Sequence, residues 1–147
     1  MRIDFTSFVK PRFRKIALRI DAWEGNQEKI QRELLLRNLK EAAETEYGRK
    51  YGFSDILNSK DPYAEFSKII PTIRYEDIRA YVIRMIKGES NILWPGVCKD
   101  FAQSSGTSGG KSKYIPITAR SLKGNHFRGG EDAVAHFINN NPSNKIF

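Results

Sequence analysis

The chain has 147 residues, with 25 Lys and Arg against 17 Asp and Glu, for a formal net charge of +8. That is one domain's length, and a hydrophobic share of 39% with only 11 Gly and 6 Pro excludes collagen-like and wholly disordered classes. A single cysteine, Cys98, excludes an internal disulfide, and charged residues interrupt every apolar stretch before the roughly 18 residues of a membrane helix, so a soluble protein of the reducing cytoplasm is expected.

The first 20 residues carry six cations (Arg2, Lys10, Arg12, Arg14, Lys15, Arg19) and one acid (Asp4), a net +5 of the chain's +8. They lack the uninterrupted apolar run and small-residue cleavage site of a secretory signal. Because the excess is concentrated in one stretch, the segment reads as a basic helix facing solvent or a partner. A presequence or a phosphate-backbone contact is the alternative.

From Gln27 to Tyr47, the residues Ile30, Leu34, Leu35, Leu39, Ala42, Ala43 and Tyr47 recur at spacings of three and four, which predicts one amphipathic helix ended by Gly48 in the left-handed conformation. Asp61-Pro62 predicts an N-cap with proline at the first helical position, and Pro71 limits that helix to 62–69. Ile78, Tyr81, Val82, Met85 and Ile86 predict a further helix closed by Lys87-Gly88, its stripe suited to core packing rather than a cofactor.

After Asp100 the character changes. Ser104-Ser105-Gly106-Thr107-Ser108-Gly109-Gly110 is a run of small residues that cannot pack a core, and Lys113 to Ile117 has the β-branched and aromatic content of a strand. Strand, loop, strand is the expected layout. The last segment carries Leu122, Phe127, Ala133, Val134, Phe137 and Ile138 at helical spacing after Thr118 or Ser121 as N-cap. Gly129-Gly130 is expected either to break it or to admit another backbone closely. Asn139 to Asn144 is turn chemistry, and Lys145-Ile146-Phe147 looks like the start of another strand, from which a fragment of a longer protein is expected. The boundaries drawn are a basic segment over 1–25, a helical region over 26–98, a hairpin over 99–118 and a helix over 119–141.

The residues that carry chemistry are Ser104 to Lys113. A run of glycines and hydroxyls lets successive backbone N–H groups converge on an anion, and Lys111 and Lys113, two apart on a strand, share a face where a polyphosphate's charge could meet them. The plain alternative is a solvent-exposed hairpin turn. A nucleotide-triphosphatase P-loop does not fit: Gly110-Lys111-Ser112 matches its second half, but its first glycine would fall on Ser105, and a strand with Pro116 follows where a helix is required. His126 and His136, ten residues apart without a nearby cysteine, are a poor metal pair, and Cys98 reads as a small buried residue rather than a nucleophile.

SSGTSGGKSKYIPIT, from Ser104 to Thr118, resembles the phosphate-binding signature of the acyl-adenylate-forming superfamily. More narrowly it resembles the acyl acid-amido synthetases, the auxin-responsive Gretchen Hagen family of plants and its bacterial relatives, and the chain is taken as a bacterial-type member. Ile69 to Ile78, Ile83 to Glu89 and the Tyr51-Gly52-Phe53 pattern are similar to that family's approach to the signature. The likeness runs from about Leu34 to the end of the chain, and the basic first 25 residues lie outside it.

The resemblance implies the N-terminal part of a larger adenylate-forming domain, an α+β fragment that is mostly helical with a hairpin carrying the phosphate loop. It implies activation of a carboxylic acid by ATP to an acyl-AMP, then attack by an amine or amino acid to form an amide. Ser104, Ser105, Gly106, Thr107, Ser108, Gly109 and Gly110 would hold the β and γ phosphates, Lys113 would neutralise leaving-group charge, and Lys111 would support it. Mg²⁺ would share that task through ligands outside this segment. The adenine pocket, the metal's acidic residue, most of the acyl pocket and a mobile C-terminal domain lie downstream in the family, so the fragment alone is expected to be inactive. His126 and Phe127 would border the acyl and nucleotide site, or be an ordinary surface histidine and a packed aromatic. Neither membrane nor nucleic acid is an expected partner. The reading from another class is a stand-alone module that binds nucleotide or nucleic-acid phosphates.

Overall fold

The chain passes from one helix to the next around Thr45. The helix α2 (Gln27–Ala42) stops because the buried Thr45 hydroxyl donates to the Ala42 carbonyl at 2.7 Å and accepts the Gly48 N–H at 2.9 Å, which caps a new helix, α3 (Glu46–Lys50). The single helix expected from Gln27 to Tyr47 is therefore two, and Gly48 is not its terminator. Gly48 lies inside α3, where a Cβ would run into the Ala42 carbonyl and come within 2.9 Å of the Ala43 oxygen. Close backbone approach, not a left-handed turn, requires the glycine there.

The computed structural model describes residues 6–104 and 112–143. They fall into two units, Gln31–Thr118 and the described parts of Met1–Ile30 with Ala119–Phe147. The basic first helix, α1 (Thr6–Asp21), belongs to the latter.

In the unit Gln31–Thr118, Gly52 at φ +63° precedes α4 (Phe53–Asn58). The next helix, α5 (Pro62–Ile69), has the predicted bounds, because the Asp61 carboxylate accepts the Tyr63 and Ala64 N–H groups at 3.1 and 3.2 Å. The following helix, α6 (Tyr75–Ile86), buries Val82 and Met85 completely and ends before Gly88 at φ +90°. Ile86, the last member of the predicted stripe, is 45% exposed, so the buried face stops one residue short. Leu39, Ala42, Phe53 and Ile56 form the core, with Leu35, Tyr47, Tyr51, Phe66 and Trp94 packed against it. Each fully buried aliphatic side chain contributes roughly 1.5–3 kcal/mol.

The loop between α6 and the hairpin completes α3. Its Asn91 and Ile92 carbonyls accept the N–H groups of Glu46 and Tyr47, at 2.8 and 3.1 Å, which are donors a helix start leaves without intrahelical partners. Asn91 sits at φ +58°, and its side-chain oxygen accepts the Gly96 N–H at 2.8 Å, closing the loop on itself. Arg84 donates to both Glu46 oxygens at 2.8 and 2.7 Å and to Glu89 at 2.8 Å, tying α6 to the start of α3.

Two strands follow, β1 (Asp100–Ser104) and β2 (Lys113–Ile117), paired antiparallel with Asp100 opposite Ile117 and Ser104 opposite Lys113. A mostly helical region with one two-stranded hairpin is the architecture the sequence predicts.

The other unit is a helix pair. It joins α1 to α8 (Arg128–Asn140), with Ile16 and Ala17 buried on one helix and Ala135 and Ile138 on the other. Arg12 pairs with Glu131 and Arg19 with Asp132, both at 2.8 Å, and Lys10 donates to the Pro142 carbonyl at 2.6 Å. Before α8 come the short helix α7 (Ala119–Ser121) and a π-helical turn over Leu122–Phe127. Ser121 and Arg128 both keep right-handed helical angles, so the backbone runs through as one helix. Gly129-Gly130 neither breaks that helix nor receives a close neighbour, since nothing lies within 4 Å of a Cβ built on either. The irregularity expected of the glycines falls instead in the wide turn before them.

Candidate functional site

The hairpin presents its two ends together. Ser104 and Lys113 are opposite each other in the ladder, which places their Cα atoms about 5 Å apart. Ser104 is half-buried and Lys113 exposed. Ser105, Gly106, Thr107, Ser108, Gly109, Gly110 and Lys111 lie outside the described residues, so of the expected phosphate-holding set the structure places Ser104 and Lys113 alone.

Tyr75, the first residue of α6, meets β2 on the edge away from β1. Its hydroxyl accepts the Tyr114 N–H at 2.9 Å and donates to the Tyr114 carbonyl at 3.2 Å. Both peptide groups of Tyr114 are thus turned outward, which makes Gln103 and Tyr114 a non-hydrogen-bonded pair, and the alternation repeats at Phe101 and Pro116. That register explains how a proline is tolerated: the ring sits where β2 has no ladder donor to lose. The Lys113 ammonium lies 5.5 Å from the centre of the Tyr75 ring, within cation–π range. At the foot of the hairpin, Cys98 is half-buried rather than buried as expected, and its thiol donates to the carbonyls of Asp100 at 3.3 Å and Ile117 at 3.6 Å.

A second cluster is built for packing. Tyr47 packs against Tyr51 with ring centres 4.6 Å apart and ring planes tilted by 41°, and meets Tyr81 edge-on at 5.8 Å, while the Lys50 ammonium donates to the Tyr81 hydroxyl at 3.1 Å. Burial, reinforced by the neighbouring Tyr51, pushes the Tyr47 phenol up to about 12. The hydrogen bond to Tyr81 raises Lys50 above its ordinary value. Both groups therefore hold their protons at neutral pH and cannot act there as general bases.

His126 and Phe127 lie in the π-helical turn of the unit that holds α1 and α8. Both are exposed, Phe127 by 59%, and their rings meet edge-on at 5.6 Å. His136 is half-buried in α8. Among the described residues no three His, Cys, Asp or Glu side chains gather as a metal site, and no helix is long and apolar enough to cross a membrane. Lys10, Arg12 and Arg19 of the basic helix are engaged with α8 and the turn after it.

The sequence placed the hairpin and its lysine but assigned Tyr75 no role. Tyr75 and Tyr114 are 39 residues apart, and local spacing cannot announce such a contact. The pointer available was an aromatic residue at the start of a helix just before the signature.

The fold is similar to the N-terminal part of an acyl acid amido synthetase. The structure of AtGH3.15 acyl acid amido synthetase in complex with 2,4-DB matches with a TM-score of 0.72 and 30% identity, over 86% of this chain and 21% of that one. Residues 18–146 match the GH3 family N-terminal domain, and the chain belongs to that family. It is 39% identical over 99 residues to indole-3-acetic acid-amido synthetase GH3.15 of Arabidopsis thaliana, covering 67% of this chain and 16% of the relative. To jasmonoyl-L-amino acid synthetase JAR4 of Nicotiana attenuata it is 36% identical over 90 residues, covering 60% of this chain and 15% of the relative. The chain thus spans about a sixth of the length of these relatives.

Proposed function

We propose that the protein acts in an ATP-dependent acyl acid-amido synthetase, a cytoplasmic enzyme to which this chain contributes the phosphate-binding hairpin. The observation that supports the reading is the register that sets Ser104 opposite Lys113 in a member of the GH3 family. A carboxylate oxygen of the acyl acid attacks the α phosphorus of ATP, the bond to the β phosphate breaks, and pyrophosphate leaves. An amine nitrogen, from an amino acid, then attacks the acyl carbon, AMP leaves and the nitrogen loses its proton.

This chain's share of that chemistry is electrostatic. Charge accumulates on the β and γ oxygens as the bond breaks, so a cation and N–H donors set there in advance stabilise the transition state more than the ground state. Lys113 supplies the cation, with Lys111 beside it in sequence. The amides and hydroxyls from Ser104 to Gly110 supply the donors. The exposed Lys113 ammonium and the paired Ser104 fit a polyphosphate. Among the described residues no three His, Cys, Asp or Glu side chains gather; Mg²⁺, where bound with the nucleotide, would add positive charge beside the leaving pyrophosphate.

The test is ATP–pyrophosphate exchange by the full-length gene product in the presence of carboxylic acids such as indole-3-acetic acid. Lys113→Ala is expected to lower exchange by roughly 10²–10³-fold, the effect of losing one preorganised electrostatic contact. Gly109→Val, which puts a branched side chain where phosphate must approach backbone, is expected to lower it strongly as well. Near-wild-type exchange in both variants overturns the assignment.

A further inference from the structure

Lys113 is the first residue of β2, and a two-stranded hairpin is marginally stable by itself, so its ammonium is only as well placed as the strand that follows it. That strand is fixed by its neighbour in sequence. Tyr114 has both peptide groups turned outward, and one hydroxyl satisfies both, accepting from the N–H at 2.9 Å and donating to the carbonyl at 3.2 Å. The hydroxyl is carried by a well-anchored element. Val82 and Met85 hold α6 in the core, and the Asp77 carboxylate accepts the Arg74 N–H at 2.7 Å, closing the first turn on which Tyr75 stands. The same ring lies 5.5 Å from the Lys113 ammonium, which restrains the side chain as the hydroxyl restrains the backbone.

We propose that Tyr75 is a positioning residue for Lys113, holding the β2 backbone through its hydroxyl and the ammonium through its ring so that the cation is in place before the phosphates arrive. Tyr75 touches neither substrate nor reacting atoms in this scheme and acts through Lys113. The proposal rests on the adenylating reading above. It assigns separate tasks to the two parts of one side chain: Phe at this position keeps the ring and loses both hydrogen bonds, and Leu loses both functions.

The experiment compares Tyr75→Phe, Tyr75→Leu, Lys113→Ala and the double variant Tyr75→Phe/Lys113→Ala in the full-length protein, by ATP–pyrophosphate exchange and by amide hydrogen exchange. Two hydrogen bonds of ordinary strength correspond to about tenfold, so Tyr75→Phe is expected to lower kcat/KM for ATP about tenfold and to leave KM for the carboxylic acid unchanged. The Tyr114 amide should exchange about tenfold faster, while the buried amides of α6 keep their protection. Tyr75→Leu should lose a further severalfold. In the Lys113→Ala background, Tyr75→Phe should change exchange by less than twofold, because the residue it positions is gone. A full tenfold loss in that background, or wild-type kcat/KM for ATP in Tyr75→Phe, overturns the proposal. Wild-type protein without any exchange overturns the adenylating reading and this proposal with it, and that failure is recognised because it appears before any residue is changed.

Discussion

The two units hold together in different ways. Gln31–Thr118 is built around a core, with Leu39, Ile56, Val82 and Met85 at 2% exposure or less and its helix starts closed by Thr45, Asp61 and Asp77. The pair α1–α8 buries Ile16, Ala17, Ala135 and Ile138 and adds two exposed ion pairs whose partners are 119 and 113 residues apart in sequence. One unit rests on desolvation and capping, the other on a thin seam rimmed by charge. The same kind of substitution should therefore have effects of different size, and even of opposite sign, in the two.

Glycine gives the sharpest contrast. Gly48→Ala drives a Cβ into the Ala42 carbonyl, and because the obstruction is backbone it cannot rotate away; we expect a loss of about 3 kcal/mol. Amide exchange within Gln31–Thr118 is the measurement, and unchanged protection of α2 and α3 would break the account of that junction. Next in size, Thr45→Ala removes the cap of α3 and leaves the Gly48 N–H unpaired in a buried site. A loss of about 1–2 kcal/mol is expected, confined to the same helices.

Acid tests the second capping group. The Ala64 N–H, assisted by Tyr63 and Arg32, holds the Asp61 carboxyl below its ordinary value of 3.8. A depressed folded-state value means that the contribution is complete above pH 3.8 and is lost as pH falls through the lower value of the folded protein. Protection of the α5 amides should fall across that window in the wild type and be flat there in Asp61→Asn. Equal acid sensitivity in both would show that the carboxylate is not what starts the helix.

Legibility in the sequence follows the range of the interaction. The 62–69 helix was readable to the residue because Asp61 and its N–H partners are two and three positions apart. The hairpin was readable because strand content flanked a run that cannot pack. Gly48 was misread because what demands a glycine there is a carbonyl, and a chain pattern records a terminator and a close contact with the same letter. The Tyr75 clasp and the α1–α8 pairing were invisible for a related reason: contacts across 39 and more than 100 residues leave no periodic trace. Lys113, by contrast, is singled out by its motif as a candidate, and its neighbourhood at the start of β2, beside Tyr75, came only with the fold.

The α1–α8 pair should answer differently. Gly130→Ala adds a Cβ to open space in α8 and removes the conformational freedom that a mid-helix glycine costs, so it is expected to stabilise the helix by about 0.5–1 kcal/mol. Slower exchange of the α8 amides is the check, and destabilisation would mean that a neighbour approaches there after all. With Gly48→Ala, the pair would give opposite signs for one chemical change.

The smallest effect expected is at the charged rim. Arg12 and Glu131 are 70% and 47% exposed in their side chains, so water screens the pair and holding two long side chains together offsets much of the Coulomb gain. A double-mutant cycle of Arg12→Ala and Glu131→Ala should give a coupling of about 0.2–1 kcal/mol that fades between low and high salt. Ile16→Ala in the same helix removes buried volume and should cost about 2–5 kcal/mol, independent of salt. If the ion pair proved the stronger of the two, the seam rather than the charges would be the accessory, and the basic sequence of α1 would be explained by its partner helix instead of by its exposed face.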